Sequence, residues 1–226
     1  MPVYQLHPEF IVFPNAEEAE DDGLLAIGGD LSEQRLIEAY ASGIFPWYSQ
    51  EPILWWSPDP RFVMKPQDFR LSKSLKRTYK TGRYEVKLDT NFREVIENCS
   101  KIKRTHEDGT WINKDIVEAY TKLWDLGLAH SAETYYEGEL VGGLYGVSLG
   151  RCFFGESMFH KMSDASKLAF WKLCEFLEAH DFDIIDSQIH TTHVESLGAY
   201  FIPRKEYLKI VENSIQKPTM QGKWRF

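Results

Sequence analysis

The alternation of apolar and polar residues divides the chain into helix-like and strand-like segments. Apolar positions three or four residues apart predict helices at 33–42, 92–99, 113–126, 163–180, 194–200 and 205–215. Alternating or continuous apolar runs predict strands at 62–64, 84–88, 129–136, 139–148, 151–159 and 182–188. Turns at Glu137-Gly138 and Leu149-Gly150 separate three of these strands, which predicts an antiparallel meander. The order of elements predicts an α+β fold: a mixed sheet with helices on its faces.

Composition changes near residues 62–69, where a short strand-like run meets Pro66. We expect a small N-terminal lobe over residues 1–63 and a larger domain over residues 64–226. Trp55 and Trp56 are interpreted as packing residues that pin the small lobe to the larger one.

Gly142, Gly143 and Gly146 weaken the middle meander strand, and such glycines often mark close approach by a ligand or another backbone.

Composition favours an intracellular protein that uses no membrane anchor. The chain has 226 residues, 43% of them hydrophobic, and a formal net charge of −8. Its three cysteines lack metal-ligand spacing, the start is no signal peptide, and no apolar run approaches membrane-spanning length. We therefore expect a cytoplasmic protein whose contacts with nucleic acid come from a local basic patch.

One such basic patch is predicted on a short helix capped by Ser72 and ended by Gly82. Its cations at 73, 76, 77 and 80 share one helical face, and no carboxylate interrupts the run between Arg70 and Arg83. Like charges on one face repel each other, so the arrangement favours neutralisation by phosphates. The predicted contacts are Lys73, Lys76, Arg77, Lys80 and Arg83, and Lys101, Lys103 and Arg104 form a weaker second cluster.

Two apolar runs carry polar groups that could do chemistry. Asp186 and Gln188 lie two positions apart at the end of a predicted strand, so we expect both on one face. Glu156 ends the run that begins at Phe153. From the residues alone, these groups could equally be rim residues or partners in a strand-end salt bridge. Trp47 and Trp111 lie in turn-prone segments, where a ring can either pack locally or stack on a base.

Eight sequence blocks, in order along nearly the whole chain, resemble the leucyl/phenylalanyl-tRNA–protein transferases. The blocks are GLLAIGGDL at 23–31, GIFPW at 43–47, ILWWSPDPR at 53–61, GTWI at 109–112, GESMF at 155–159, ASK at 165–167, Asp186-x-Gln188 and SLGA at 196–199. The resemblance implies transfer of Leu or Phe from aminoacyl-tRNA to the N-terminal amine of proteins that begin with Lys or Arg. This tags those proteins for degradation. It also implies no cofactor because the aminoacyl ester is already activated. The order of helices and strands, separately, resembles the acetyltransferase-like (GNAT-like) fold.

The resemblance also implies roles for individual residues. Trp47 and Trp111 flank the terminal adenosine of the tRNA. Asp186 orients the attacking amine, directly or through Gln188, and could act as a general base, although an ordinary carboxylate is a weak base near neutral pH. Glu156 holds the substrate α-amine or fixes that network. The positions that match the family's side-chain pocket are Leu144, Phe153, Met158, Phe170, Leu173, Ala179 and Ile185.

Some positions depart from the family pattern. The family often has Met at 144, Phe at 173 and Asn at 191, whereas this chain has Leu144, Leu173 and Thr191. The preference between Leu and Phe therefore stays open.

Two alternative functions remain. A GNAT-type acetyltransferase would need the pyrophosphate loop for acetyl-coenzyme A, and this loop is absent before the helix at 163. A non-catalytic RNA-binding module would use the tryptophans and the basic helix without forming a product.

Overall fold

Apolar burial is concentrated around two β-sheets in the computed structural model, which describes residues 3–102 and 111–226. The small sheet consists of β1 (Tyr4–Leu6), β2 (Leu24–Gly28), β3 (Phe45–Pro46) and β4 (Leu54–Trp56), in the order β1-β2-β4-β3. The large sheet consists of β5 (Arg61–Met64), β6 (Tyr84–Leu88), β7 (Ala129–Tyr136), β8 (Glu139–Leu149), β9 (Cys152–His160), β10 (Ile184–Asp186) and β11 (Tyr200–Ile202). Its order is β11-β5-β10-β9-β8-β7-β6.

Seven α-helices are present in the described residues: α1 (Glu33–Ala41), α2 (Lys73–Lys80), α3 (Phe92–Ser100), α4 (Lys114–Asp125), α5 (Ala165–Ala179), α6 (Thr192–Ser196) and α7 (Arg204–Ile215). Side-chain caps fix several helix starts. The hydroxyl of Ser72 accepts from Leu75 N, and Asn113 Oδ1 accepts from Ile116 N, both at 3.0 Å. The predicted meander is confirmed, since β7 pairs antiparallel with β8, and β8 with β9.

Helices cover both faces of the large sheet, as predicted. Phe153 and Phe154 are adjacent on β9 and therefore point to opposite faces. Phe153 lies in an apolar cluster with α5, whereas Phe154 lies in a cluster with α3, α4 and the small sheet. The small sheet thus shares a core with one face of the large sheet. The expected lobe boundary at residues 63 and 64 falls inside β5, while the small sheet ends at Trp56.

The meander glycines mark close backbone approach, as the sequence predicted. A Cβ at Gly146 would lie 2.2 Å from Phe154 O, and one at Gly142 would lie 2.6 Å from the Cβ of Ala165 on α5. A larger residue at either position would push α5 or β9 away from β8.

The region after β10 differs from the prediction. The predicted strand at 182–188 is reduced to β10, and the predicted helix at 194–200 ends early and is followed by β11. Gly198 lies between them with φ 125°, and a Cβ there would lie 2.3 Å from Asp68 O. At Gly198 the backbone leaves the helical conformation for an angle that glycine tolerates best, and the close approach to Asp68 leaves no room for a Cβ. The helix therefore ends before this residue.

Candidate active site

The site lies where two neighbouring strands separate. β9 and β10 run parallel, and their pairing ends at Asp186 opposite Phe154, while β9 continues to His160. The space beyond the end of β10 is a cavity of about 680 Å³. Its polar lining includes Glu156 and Ser157 from β9, and Ser187 and Gln188 from the segment after β10. Ligands commonly bind at the carboxyl ends of parallel strands.

Five of the seven positions predicted for the side-chain pocket line this cavity: Leu144, Phe153, Met158, Phe170 and Ile185. Leu173 does not line the cavity but is buried in the same apolar cluster. Ala179 is exposed in the last turn of α5 and does not line the cavity. It lies nine residues beyond Phe170, about 13 Å further along the helix, which is too far to reach the same wall.

Trp47 and Trp111 both lie on the cavity wall. Trp47 is half-buried, with its ring 5.7 Å from that of Trp56 in an edge-to-face arrangement. Trp56 Nε1 donates to Trp47 O at 2.7 Å, which fixes this segment of the wall. Trp111 is 8% exposed. Trp55, interpreted from the sequence as a packing residue, is fully buried.

Asp186 is fully buried and does not line the cavity. Its Oδ1 accepts from Arg61 Nε at 2.9 Å, and its Oδ2 accepts from Arg61 Nη2 at 2.7 Å and from Tyr207 Oη at 2.8 Å. Burial alone would lower the pKa of Arg61, but the charge of Asp186 and its hydrogen bonds raise that pKa above its ordinary value. The carboxylate is therefore one half of a buried, two-pronged ion pair.

Gln188, unlike Asp186, lines the cavity, and it lies beyond the strand on which the two residues were predicted to share a face. The strand ends at Asp186, and Gln188 has φ 54°, so strand alternation no longer governs its direction. Its backbone N–H donates to Asp186 Oδ1 at 2.9 Å. The side-chain Nε2 is buried and has no hydrogen-bond partner within residues 3–102 and 111–226. Asp186 thus anchors the backbone of Gln188, a residue that lines the cavity.

Glu156 reaches the cavity from a β-bulge. Gly146 pairs with Gly155 and Tyr145 pairs with Ser157, so Glu156 is the extra residue in β9 and has no partner in β8. Its carboxyl accepts from Tyr40 Oη at 2.6 Å and from Tyr120 Oη at 3.2 Å, and the two phenols also bond to each other. Burial raises the pKa of Glu156 to about 8, although the two tyrosine hydrogen bonds oppose the shift. Near neutral pH, this group is largely a neutral acid.

The five predicted phosphate contacts, Lys73, Lys76, Arg77, Lys80 and Arg83, are all exposed. Within the described part of the chain, no ion pair joins any of them to a carboxylate. Leu75 of α2 is buried against Leu168 and Trp171 of α5, so the basic helix is fixed beside the helix that forms one cavity wall. Of the second basic cluster, Lys103 and Arg104 lie outside the described residues.

Sequence reasoning missed four side chains that organise the polar groups: Tyr40 and Tyr120 for Glu156, and Arg61 and Tyr207 for Asp186. A signal existed for Arg61, which ends one of the blocks that carry the family resemblance. The tyrosines lie on helices α1, α4 and α7, and their apolar spacing indicates only core positions. No group of residues suited to hold a metal ion occurs in the described chain, and none of its helices is long and apolar enough to span a bilayer.

Comparison with known proteins gives one consistent family. The family model described as leucyl/phenylalanyl-tRNA protein transferase matches residues 63–212, and the model for the N-terminal domain of that family matches residues 29–59. A leucyl/phenylalanyl-tRNA–protein transferase from Desulfatibacillum aliphaticivorans is 53% identical over 99% of this chain and 96% of its own length. One from Solidesulfovibrio magneticus is 51% identical over 99% of this chain and 91% of its own length.

Solved structures give weaker likenesses. A GCN5-related N-acetyltransferase-like protein from Streptococcus suis matches with a TM-score of 0.34 and 17% identity, covering 73% of this chain and 61% of that one. A likeness of this size adds nothing to the architecture described above.

Proposed function

This chain belongs to the leucyl/phenylalanyl-tRNA–protein transferase family, and from that premise we propose how its cavity carries out the transfer. It is an aminoacyltransferase that moves leucine or phenylalanine from tRNA to a protein. The observation that carries the mechanism is the cavity beyond β10, which combines an apolar wall, two tryptophans and the polar side chains of Glu156 and Gln188 among others. We propose the cytoplasm as its compartment.

The donor end of the cavity suits an aminoacyl-adenosine. Leu144, Phe153, Met158, Phe170 and Ile185 provide an apolar hole for the Leu or Phe side chain. Met158 can adjust to either shape because its side chain is unbranched and flexible. Trp47 and Trp111 hold the terminal adenosine, since an aromatic ring offers a stacking surface to any base.

Ester aminolysis requires a neutral attacking amine, an ester held in line, and stabilisation of charge on the tetrahedral oxygen. Gln188 lines the cavity, and its carboxamide, whose Nε2 has no partner in the described residues, orients the incoming N-terminal amine. Asp186 acts through Gln188, since Arg61, Tyr207 and the Gln188 N–H already engage its two oxygens. We therefore favour a positioning and electrostatic role for Asp186 over proton abstraction.

Glu156 faces the cavity beside the ester and hydrogen-bonds the α-amine of the aminoacyl group. Its two tyrosine partners hold the carboxyl in one orientation, so the carboxyl is already positioned for the α-amine before the substrate arrives. As a largely neutral acid, it can donate as well as accept. The acceptor proteins are those that begin with Lys or Arg, and the product is a protein marked for degradation.

The exposed cations Lys73, Lys76, Arg77, Lys80 and Arg83 contact the tRNA backbone. The protein carries a net charge of −8, so binding of RNA depends on this local field. The aminoacyl ester supplies the free energy for peptide-bond formation, so the reaction needs neither ATP nor a cofactor.

The test supplies radiolabelled Leu-tRNA or Phe-tRNA together with a peptide that begins with Arg. We expect label on the peptide, and none on a matched peptide whose N-terminus is acetylated. Two results would count against the proposal. Clear binding of acetyl-coenzyme A in isothermal titration calorimetry would favour an acetyltransferase. Equal binding of charged and uncharged tRNA without product would favour an RNA-binding module.

A further inference from the structure

The edge of the large sheet nearest the cavity is open. β11 is the outermost strand, next to β5. The main-chain N–H and C=O of Phe62 in β5 both bond to the segment after β10 and not to β11. Ser187 N donates to Phe62 O at 3.0 Å, and Phe62 N donates to Gln188 O at 3.3 Å. Phe201 lies opposite Phe62 in a pair that is not hydrogen-bonded across the two strands. The N–H and C=O of Phe201 therefore point outward, and no partner takes them in the described chain.

An exposed apolar surface joins this edge to the cavity. We name Ile189, His190 and Phe201 the exit surface. Ile189 and His190 line the cavity mouth, and the side chains of Ile189 and Phe201 are 40% and 50% exposed. The His190 ring stacks on that of Phe201 at 5.6 Å, and Phe62 supports both from below, at 5.1 and 4.9 Å. The cavity, the exit surface and the free edge are therefore continuous on one face of the sheet.

We propose that the exit surface and the free edge of β11 bind the acceptor polypeptide just after its first residue, as an added β-strand. This inference rests on the proposed function. An acceptor whose N-terminal amine reaches the cavity must leave through its mouth as an extended chain. An open edge gives such a chain main-chain hydrogen bonds whatever its sequence, while an apolar surface accepts alternate side chains. An enzyme that must label many different proteins needs recognition of this kind.

Charge favours a polypeptide over RNA on this surface. No lysine or arginine occurs from Leu173 to Pro203, the stretch that contains β10, the exit surface and β11. A carboxylate, Glu195, bonds to His190 within the exit surface. Contacts to the phosphate backbone require cations, and these are concentrated instead on α2. A peptide that begins with Lys or Arg suits a stretch that carries carboxylates and no lysine or arginine.

The test measures kcat/KM for Phe transfer to a series of Arg-led peptides, from two to eight residues long. With the wild-type enzyme we expect kcat/KM to rise with length. Phe201→Ser should lower kcat/KM for the eight-residue peptide about five- to tenfold, as expected for truncating one interface contact. The same variant should leave kcat/KM for the dipeptide unchanged. Phe226→Ser, which truncates another phenylalanine that is 60% exposed and lies against α5, should keep the full gain.

A second probe leaves the protein unaltered. In the wild-type enzyme, methylating one backbone nitrogen of the eight-residue peptide, at each position from three to six in turn, should lower kcat/KM severalfold at the position whose N–H meets the Phe201 carbonyl. The inference is overturned if peptide length has no effect, if methylation at every position is harmless, or if Phe201→Ser slows the dipeptide equally. A variant that raises only the KM for Phe-tRNA would assign the surface to RNA. Failure of the wild-type enzyme to label any peptide would instead overturn the proposed function.

Discussion

Asp186→Asn should destabilise the protein far more than it impairs the chemistry. Both side chains of the Asp186–Arg61 pair are fully buried, and Asn replaces one carboxylate oxygen with an amide that cannot accept from Arg61. The guanidinium, whose pKa is raised above its ordinary value, stays charged and loses its counter-charge. Breaking a buried ion pair by removing one partner costs about 3–5 kcal/mol. Since many domains are stable by only about 5–15 kcal/mol, this is a large fraction.

The assay is urea unfolding of the wild type, Asp186→Asn and Tyr207→Phe, with the slope m measured for each. Tyr207→Phe is the matched control, because it removes the hydroxyl that donates to Asp186 Oδ2 and accepts from Arg61 Nη2, and it keeps the ion pair. That loss should cost about 1.5–3 kcal/mol, the range for a hydrogen bond to a charged group. Equal urea midpoints for Asp186→Asn and the wild type would refute the assignment of a buried, charged pair.

Activity is then compared at a temperature where all three proteins are folded. Asn can still present an oxygen to the Gln188 N–H, so the anchoring of Gln188 survives. If Asp186 acts by positioning, we expect kcat to fall less than about tenfold. A general base would show a loss of about 10²–10⁴-fold, and such a loss in folded protein would refute the positioning role.

Three other effects follow from the site. Because the pKa of Glu156 is raised from 4.5 to about 8, the folded state holds its proton more tightly. Stability should therefore fall as pH rises from about 5 to about 8, and Glu156→Gln should flatten this dependence in urea titrations. Trp111→Ala should raise KM for aminoacyl-tRNA by the equivalent of about 1–3 kcal/mol, and an unchanged KM would make that ring structural. Lys76→Ala with Arg77→Ala should reduce the salt slope of tRNA binding by about two, whereas Lys209→Ala on α7 should leave the slope unaltered.

The regular elements of this fold follow from local sequence. Periodicity, turn residues and caps such as Asn113 predict the meander and most helices, because each of these signals acts over a few residues. The small sheet cannot be predicted from local sequence, since β1 has three residues and pairs in parallel with a segment about twenty positions away. β11 was missed because the turn at Gly198 depends on a tertiary contact with Asp68.

The polar site was harder to predict because its geometry comes from irregular backbone. Glu156 reaches the cavity through a bulge and Gln188 through a left-handed residue, and neither conformation has a signature in residue periodicity. The resemblance supplied the residue types but not their directions. It grouped Ala179 with the pocket although helix geometry carries that residue away from it.

Two neighbouring residues of the three-residue strand β10 have different roles at the site. Ile185 of β10 faces the cavity and contributes apolar wall, while the next residue, Asp186, faces the opposite side and enters the ion pair. A carboxylate inside an apolar pocket would be costly to desolvate and would repel the Leu or Phe side chain. The charge of Asp186 is balanced by Arg61, and its Oδ1 accepts from the Gln188 N–H, so the carboxylate acts on the cavity through the Gln188 backbone. Asp186 itself stays out of the pocket lining, to which Glu156 and Gln188 contribute polar side chains.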